Sequence, residues 1–147
     1  MSNAKQLTEQ GWNAWFRRDL EAVMQFYTDE SELILPGSPP LKGREAIRSA
    51  WQMYMVAFPD ERPTEIRHLA DGNTTVTEWA TMATHTGALP MPTGDLLPAT
   101  GKTVKLAGVT IADLEGDKVK RQVFYWDNAD FLQQLGLLTA PEVATAG

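Results

Sequence analysis

The residues that could do chemistry in this chain are few, and their spacing excludes more than it offers. Cys is absent, which removes thiol nucleophiles, disulfides and thiolate metal sites together. The only imidazoles are His68 and His85, with no H-x-x-x-H spacing. A metal site would need both of them plus carboxylates from separate strands, so no metal is expected. None of the four Ser has a His beside it, and no G-x-S-x-G elbow, G-x-G-x-x-G turn or phosphate loop occurs. What remains is acid–base chemistry by isolated groups in an apolar pocket.

The last predicted strand, Val119–Trp126, carries the first candidates. Alternation puts Val119, Arg121, Val123, Tyr125 and Asp127 on one face, and Lys118, Lys120, Gln122, Phe124 and Trp126 on the other. Because the two lysines favour water, the first set is expected to face inward. Asp127 would then be a desolvated carboxylate of raised pKa, fit to take and return a proton. Equally, it could cap the helix that follows, which would shift its pKa the other way. On the strand Thr74–His85, alternation gathers Trp79, Thr81, Ala83 and His85, and His85 could donate to a substrate oxygen or simply be a satisfied structural residue. A buried Arg121 would need Glu78, Asp127 or a ligand oxyanion as its partner, unless it lies on the surface. Trp51, Tyr54, Tyr27, Trp79 and Tyr125 are large aromatics suited to lining a hollow for a flat apolar ligand, although helical aromatics such as Trp51 usually fill a core.

These side chains must be positioned by a helical first third and a strand-rich remainder. Leu7, Trp12, Trp15 and Phe16 mark an amphipathic helix. Asp19 can cap a second, short helix carrying Leu20, Val23, Met24 and Tyr27, which Thr28-Asp29-Glu30 ends. A short strand, Leu33-Ile34-Leu35, stops at Pro36-Gly37. Gly43-Arg44-Glu45 opens a third helix with Ile47, Ala50, Trp51, Tyr54 and Phe58 on one stripe, closed by Pro59. Strands are then predicted over Thr64–Ala70, Thr74–His85, Val104–Leu114 and Val119–Trp126, the turns between them implying an antiparallel meander. A last helix runs from Asn128 to Leu135 and ends at Gly136. Helices first and strands afterwards predict an α+β fold, a curved sheet wrapped around helices as a cone. Gly87–Gly101, with Pro90, Pro92 and Pro98, is a long connection that reads either as a lid or as a surface insertion.

Composition bounds the partners. The chain has 147 residues and a formal net charge of −6, a balance that repels a phosphate backbone, so no nucleic acid is expected. Neither a signal peptide nor a membrane span is evident, which predicts no membrane association and a cytoplasmic protein. A single domain over 1–140 with a frayed tail over 141–147 is the expected organisation, and Ser2-Asn3-Ala4 reads as a tag remnant without function.

Taken in order, Phe26-Tyr27-Thr28-Asp29, Leu41-Lys42-Gly43-Arg44-Glu45-Ala46-Ile47, Ala57-Phe58-Pro59-Asp60, Thr84-His85-Thr86-Gly87, Pro98-Ala99-Thr100-Gly101-Lys102-Thr103-Val104 and Tyr125-Trp126-Asp127 leading to Leu132-Gln133-Gln134-Leu135-Gly136 resemble the SnoaL-like polyketide cyclase family of the nuclear transport factor 2-like fold. The resemblance implies a cone-shaped α+β barrel, a homodimer, a hydrophobic pocket for an apolar small-molecule substrate, and no cofactor. It also implies aldol-type ring closure of a polyketide-like carbonyl compound by a lyase or isomerase, with Asp127 in the position of the acid/base. His85, Tyr125 or Arg121 would then stabilise the enolate. A non-catalytic small-molecule-binding or interaction module is the alternative on the same fold. An epoxide-hydrolase-like activity is a third reading, for which only Arg121 and Asp127 stand in suitable positions.

Overall fold

The computed structural model describes residues 3–91 and 93–138, so the predicted tail over 141–147 lies outside the described residues. Asn3 is no idle remnant. Its side chain accepts the Gln6 amide at 2.7 Å and caps α1 (Ala4–Phe16). At the far end of α1 the amides of Arg18 and Asp19 donate back to the carbonyls of Trp15 and Ala14, the hydrogen-bond pattern of a Schellman turn. Arg18 occupies the left-handed position of that turn, at φ 60°, where Gly is usual.

Asp19 caps α2 (Leu20–Met24) as expected, through the Ala22 amide. The helix is shorter than its spacing predicts. Tyr27 already begins β1 (Tyr27–Ile34), because an apolar residue four positions after Val23 serves a strand start as well as a helix turn. The chain continues through β2 (Leu41–Lys42), α3 (Arg44–Ala57), β3 (Arg62–Asp71), β4 (Thr74–Thr84), β5 (Leu89–Pro90), β6 (Leu96–Leu97), β7 (Thr103–Glu115), β8 (Lys118–Trp126) and α4 (Asn128–Gln134).

Six strands form one sheet in the order β2-β1-β8-β7-β4-β3. All pairs are antiparallel except β1 with β8, which run parallel. The fold is therefore the predicted α+β architecture, but the cone is not closed into a barrel: β2 at one edge and β3 at the other never pair. Helices α1, α2 and α3 cover one face, burying Leu7, Val23, Ile47 and Trp51 against Leu33, Ala112 and Leu114. A second cluster joins Ala57, Phe58, Ala83, Val104, Phe131 and Leu135 where α3 ends and α4 returns.

The long connection is docked. Thr86 and Gly87 donate to the Ala57 carbonyl at 3.1 and 3.2 Å, and Leu89 is buried. A Cβ on Gly87 would lie 1.9 Å from the Val56 carbonyl oxygen, so only Gly permits this approach. Among the described residues no helix is long and apolar enough to cross a membrane.

Candidate active site

Between the helices and the sheet lies a cavity of about 140 Å³. Its walls are largely aromatic: Trp12 and Trp15 from α1, Trp51 and Tyr54 from α3, Tyr27 from β1, Trp79 from β4, and Phe124 and Trp126 from β8. The rings meet at centroid separations of 5.2 to 6.4 Å, many edge to face, as their quadrupoles favour. Gly108 on β7 makes room for one of them, since a Cβ there would lie 2.6 Å from Cζ2 of Trp79. The predicted lining residues Trp51, Tyr54, Tyr27 and Trp79 all reach this cavity, and β4 presents Trp79, Thr81 and Ala83 to it as alternation requires.

Strand β8 behaves differently from its prediction. Val119 faces inward as expected, but the pairing with β7 then slips: Leu114 opposes Val119, Asp113 opposes Arg121, and Lys120 is left over. This bulge inverts every later residue. Gln122, Phe124 and Trp126 therefore line the cavity, while Arg121 and Tyr125 face outward, Tyr125 at 57% exposed. Arg121 lies 3.6 Å from Glu32 on the outer surface and reaches no ligand space.

Asp127 is likewise corrected. It is exposed, does not line the cavity, and accepts the Asp130 amide at 3.0 Å as the cap of α4. The capping alternative describes its position. His85 is fully buried but also off the cavity wall. Its Nδ1 accepts from the Thr100 hydroxyl at 2.9 Å and the Thr100 amide at 3.2 Å, which assigns the proton to Nε2. Burial holds the imidazole pKa below its ordinary value, so the ring is neutral. It fastens the segment before β7 to the end of β4.

The carboxyl that does reach the cavity is Glu61, just before β3, which the sequence reading passed over. Its Oε1 accepts the Trp15 indole N–H at 2.9 Å and lies 3.7 Å from Arg18 Nη2. Burial raises its pKa above the ordinary carboxylate range, against the opposing pull of the Arg18 charge and of the Trp15 and Thr81 donors. The segment carrying Glu61 is gripped by Arg18, whose guanidinium donates to the carbonyls of Phe58, Pro59 and Glu61 at 2.8, 3.1 and 3.3 Å. Those bonds explain how Arg18 tolerates its left-handed backbone, which costs about 1 kcal/mol or more. Next to Asp60, nothing local marks Glu61 as special; only its tertiary neighbours do.

Tyr54 completes the polar inventory near Glu61. Burial, reinforced by the Glu61 charge, pushes its phenol up to about 12, so it remains a donor. Among the described residues no cluster of metal-ligating side chains forms.

An open sheet of this strand order, backed by helices around an aromatic hollow, defines a mixed α+β fold. A family model for SnoaL-like polyketide cyclases matches residues 5–135, and the chain belongs to that family. Solved structures of the same fold include a candidate polyketide cyclase from Xanthomonas campestris pv. campestris, at 22% identity and TM-score 0.78, covering 90% of this chain and 96% of that one. A candidate polyketide cyclase from Pseudomonas putida KT2440 gives 18% identity and TM-score 0.79, with coverages of 91% and 98%. IdmH from Streptomyces antibioticus, also a candidate polyketide cyclase, gives 21% identity and TM-score 0.71, with coverages of 92% and 99%. No curated protein sequence matches the chain.

Proposed function

We propose that this protein is an enzyme that moves a proton at a carbon next to a carbonyl in an apolar small molecule, without a cofactor, with Glu61 as the acid/base. The observation that carries this reading is one carboxyl group of raised pKa on the wall of an aromatic cavity. The ionised Glu61 takes the α-proton and leaves an enolate, whose oxygen is stabilised by the Tyr54 hydroxyl. In an aldol ring closure the enolate carbon then bonds to a second carbonyl carbon of the same molecule. Glu61 returns its proton to the alkoxide so formed, and the balance of atoms and charge is restored. The cavity supplies the folding of the substrate that brings both carbons together.

Membership of the cyclase family supports the ring-closing form of this chemistry. The family's acid/base role, matched in sequence to Asp127, passes to Glu61 because Asp127 faces away from the cavity. Arg121 and Asp127, which an epoxide-hydrolase-like reaction would need, both stand outside it.

The test requires no knowledge of the natural substrate. Phenylacetone in D₂O exchanges its α-protons slowly, and NMR follows the loss of signal. The protein should accelerate exchange, and Glu61→Gln should reduce that acceleration by about 10²–10⁴-fold while Asp127→Asn leaves it nearly unchanged. Full activity in the Glu61 variant, or loss in the Asp127 variant with folding intact, would sink the assignment.

A further inference from the structure

Three cavity residues from three elements form a relay with only one possible direction. Trp51 Nε1 lies 3.2 Å from the Tyr27 hydroxyl oxygen, which lies 2.5 Å from Gln122 Oε1. An indole can only donate, so Tyr27 accepts from Trp51 and must spend its own proton on Gln122. Burial raises the Tyr27 phenol pKa further, so that proton stays in place. The amide oxygen of Gln122 is thereby consumed, and its orientation is set. Its NH₂ group makes no hydrogen bond among the described residues, and the residue, 9% exposed, lines the cavity. Two N–H donors thus remain on an aromatic wall, accessible to the cavity rather than sealed inside the protein, where a ligand oxygen can meet them.

The rest of the wall narrows what can meet them. No Arg, Lys or His lines the cavity among the described residues, and the one carboxyl there is Glu61. A carboxylate ligand would find no cation and one potential repelling charge. The volume, about 140 Å³, holds roughly one substituted six-membered ring, since a cavity of about 150 Å³ admits benzene.

We infer that the Gln122 side-chain amide is the anchoring donor for a carbonyl oxygen, and that the site takes a neutral carbonyl compound of about one ring and excludes the matching acid. This rests on the proposed enolising function for its identity as a substrate site. The oxygen anchored at Gln122 leaves the α-carbon for Glu61, or belongs to the second carbonyl in a ring closure.

Binding is measured by quenching of tryptophan fluorescence with three probes of one shape: phenylacetone, phenylacetate and isobutylbenzene. The wild-type protein should bind phenylacetone tightest and phenylacetate weakest. Gln122→Met should weaken phenylacetone about five- to tenfold, the value of one hydrogen bond, and leave isobutylbenzene unchanged. Tyr27→Phe combined with Gln122→Met removes the stranded phenol and should show the same selective loss. Independently of any variant, the side-chain amide NMR signals of Gln122 in the wild-type protein should move downfield with phenylacetone and not with isobutylbenzene. Equal losses for both probes, no loss, tighter phenylacetate binding, or unmoved amide signals overturn the inference. Gln122-dependent phenylacetone binding without α-proton exchange would defeat the enzyme reading and leave the anchor standing. Exchange that is indifferent to Gln122 would do the reverse.

Discussion

At the residue scale, the decisive contrast is between two carboxyl groups. Asp127 caps a helix in open water; Glu61 is pressed among rings and held by Arg18. Because the folded protein raises the Glu61 pKa, the native state binds more protons than the unfolded one above about 4.5, the ordinary value. Stability linked to this group therefore falls as pH rises from there to the folded pKa. Glu61→Gln should abolish that fall, so the variant gains heat stability over wild type as pH rises, visible in melts at pH 4 and pH 7. His85 gives the opposite sign. Its folded pKa is depressed, so its contribution is present above the ordinary 6.5 and is lost as pH falls below it. His85→Gln should flatten that acid-side loss relative to wild type, which the difference between two melting curves against pH would show even with His68 also titrating.

At the scale of elements, one unpaired residue on β8 decides which side chains reach the cavity. Deleting Lys120 would remove the extra residue and leave the facing as it is, with Arg121 following Val119 opposite Asp113 and Gln122, Phe124 and Trp126 still turned inward; inserting one residue after Arg121 would instead send those three to the outer face. The deletion should therefore keep phenylacetone binding, whereas the insertion should cost about 3 kcal/mol or more in chemical denaturation and abolish it. Gly108 is a second point of close fit. Gly108→Ala would drive a methyl into Trp79 and the Tyr125 carbonyl and should destabilise the protein by about 1–3 kcal/mol. A variant as stable as wild type would show that the sheet yields where the packing says it does not.

Across the whole molecule, the hollow exists because the sheet bends away from α1 and α3 without closing, while aromatic rings hold the walls apart. Filling it should act on binding and stability together. Ala112 on β7 pairs directly across from Gln122 and lines the cavity. Ala112→Leu should lower phenylacetone affinity by at least about tenfold, because the added carbons occupy the cavity beside Gln122, and should cost about 1–3 kcal/mol of stability, because Ala112 is also packed in the core. Calorimetric melting and fluorescence titration of the same sample would check both halves.

What this sequence determined by itself is periodic and local. The α+β order, the cap at Asp19, the helix start at Gly43, the inward set of β4 and the aromatic character of the hollow all follow from local residue types and spacing, because helix and strand periods act over a few neighbouring residues. The series of short motifs was enough to reach the family. The inward face of β8 was not legible: alternation assumes one residue per step, and the bulge at Lys120 is imposed by pairing with β7. Nor was Glu61, whose pKa comes from desolvation by rings distant in sequence and from an arginine beyond the end of α1. Proton affinity depends on the dielectric and charges around a group, and only the closed tertiary structure assembles those.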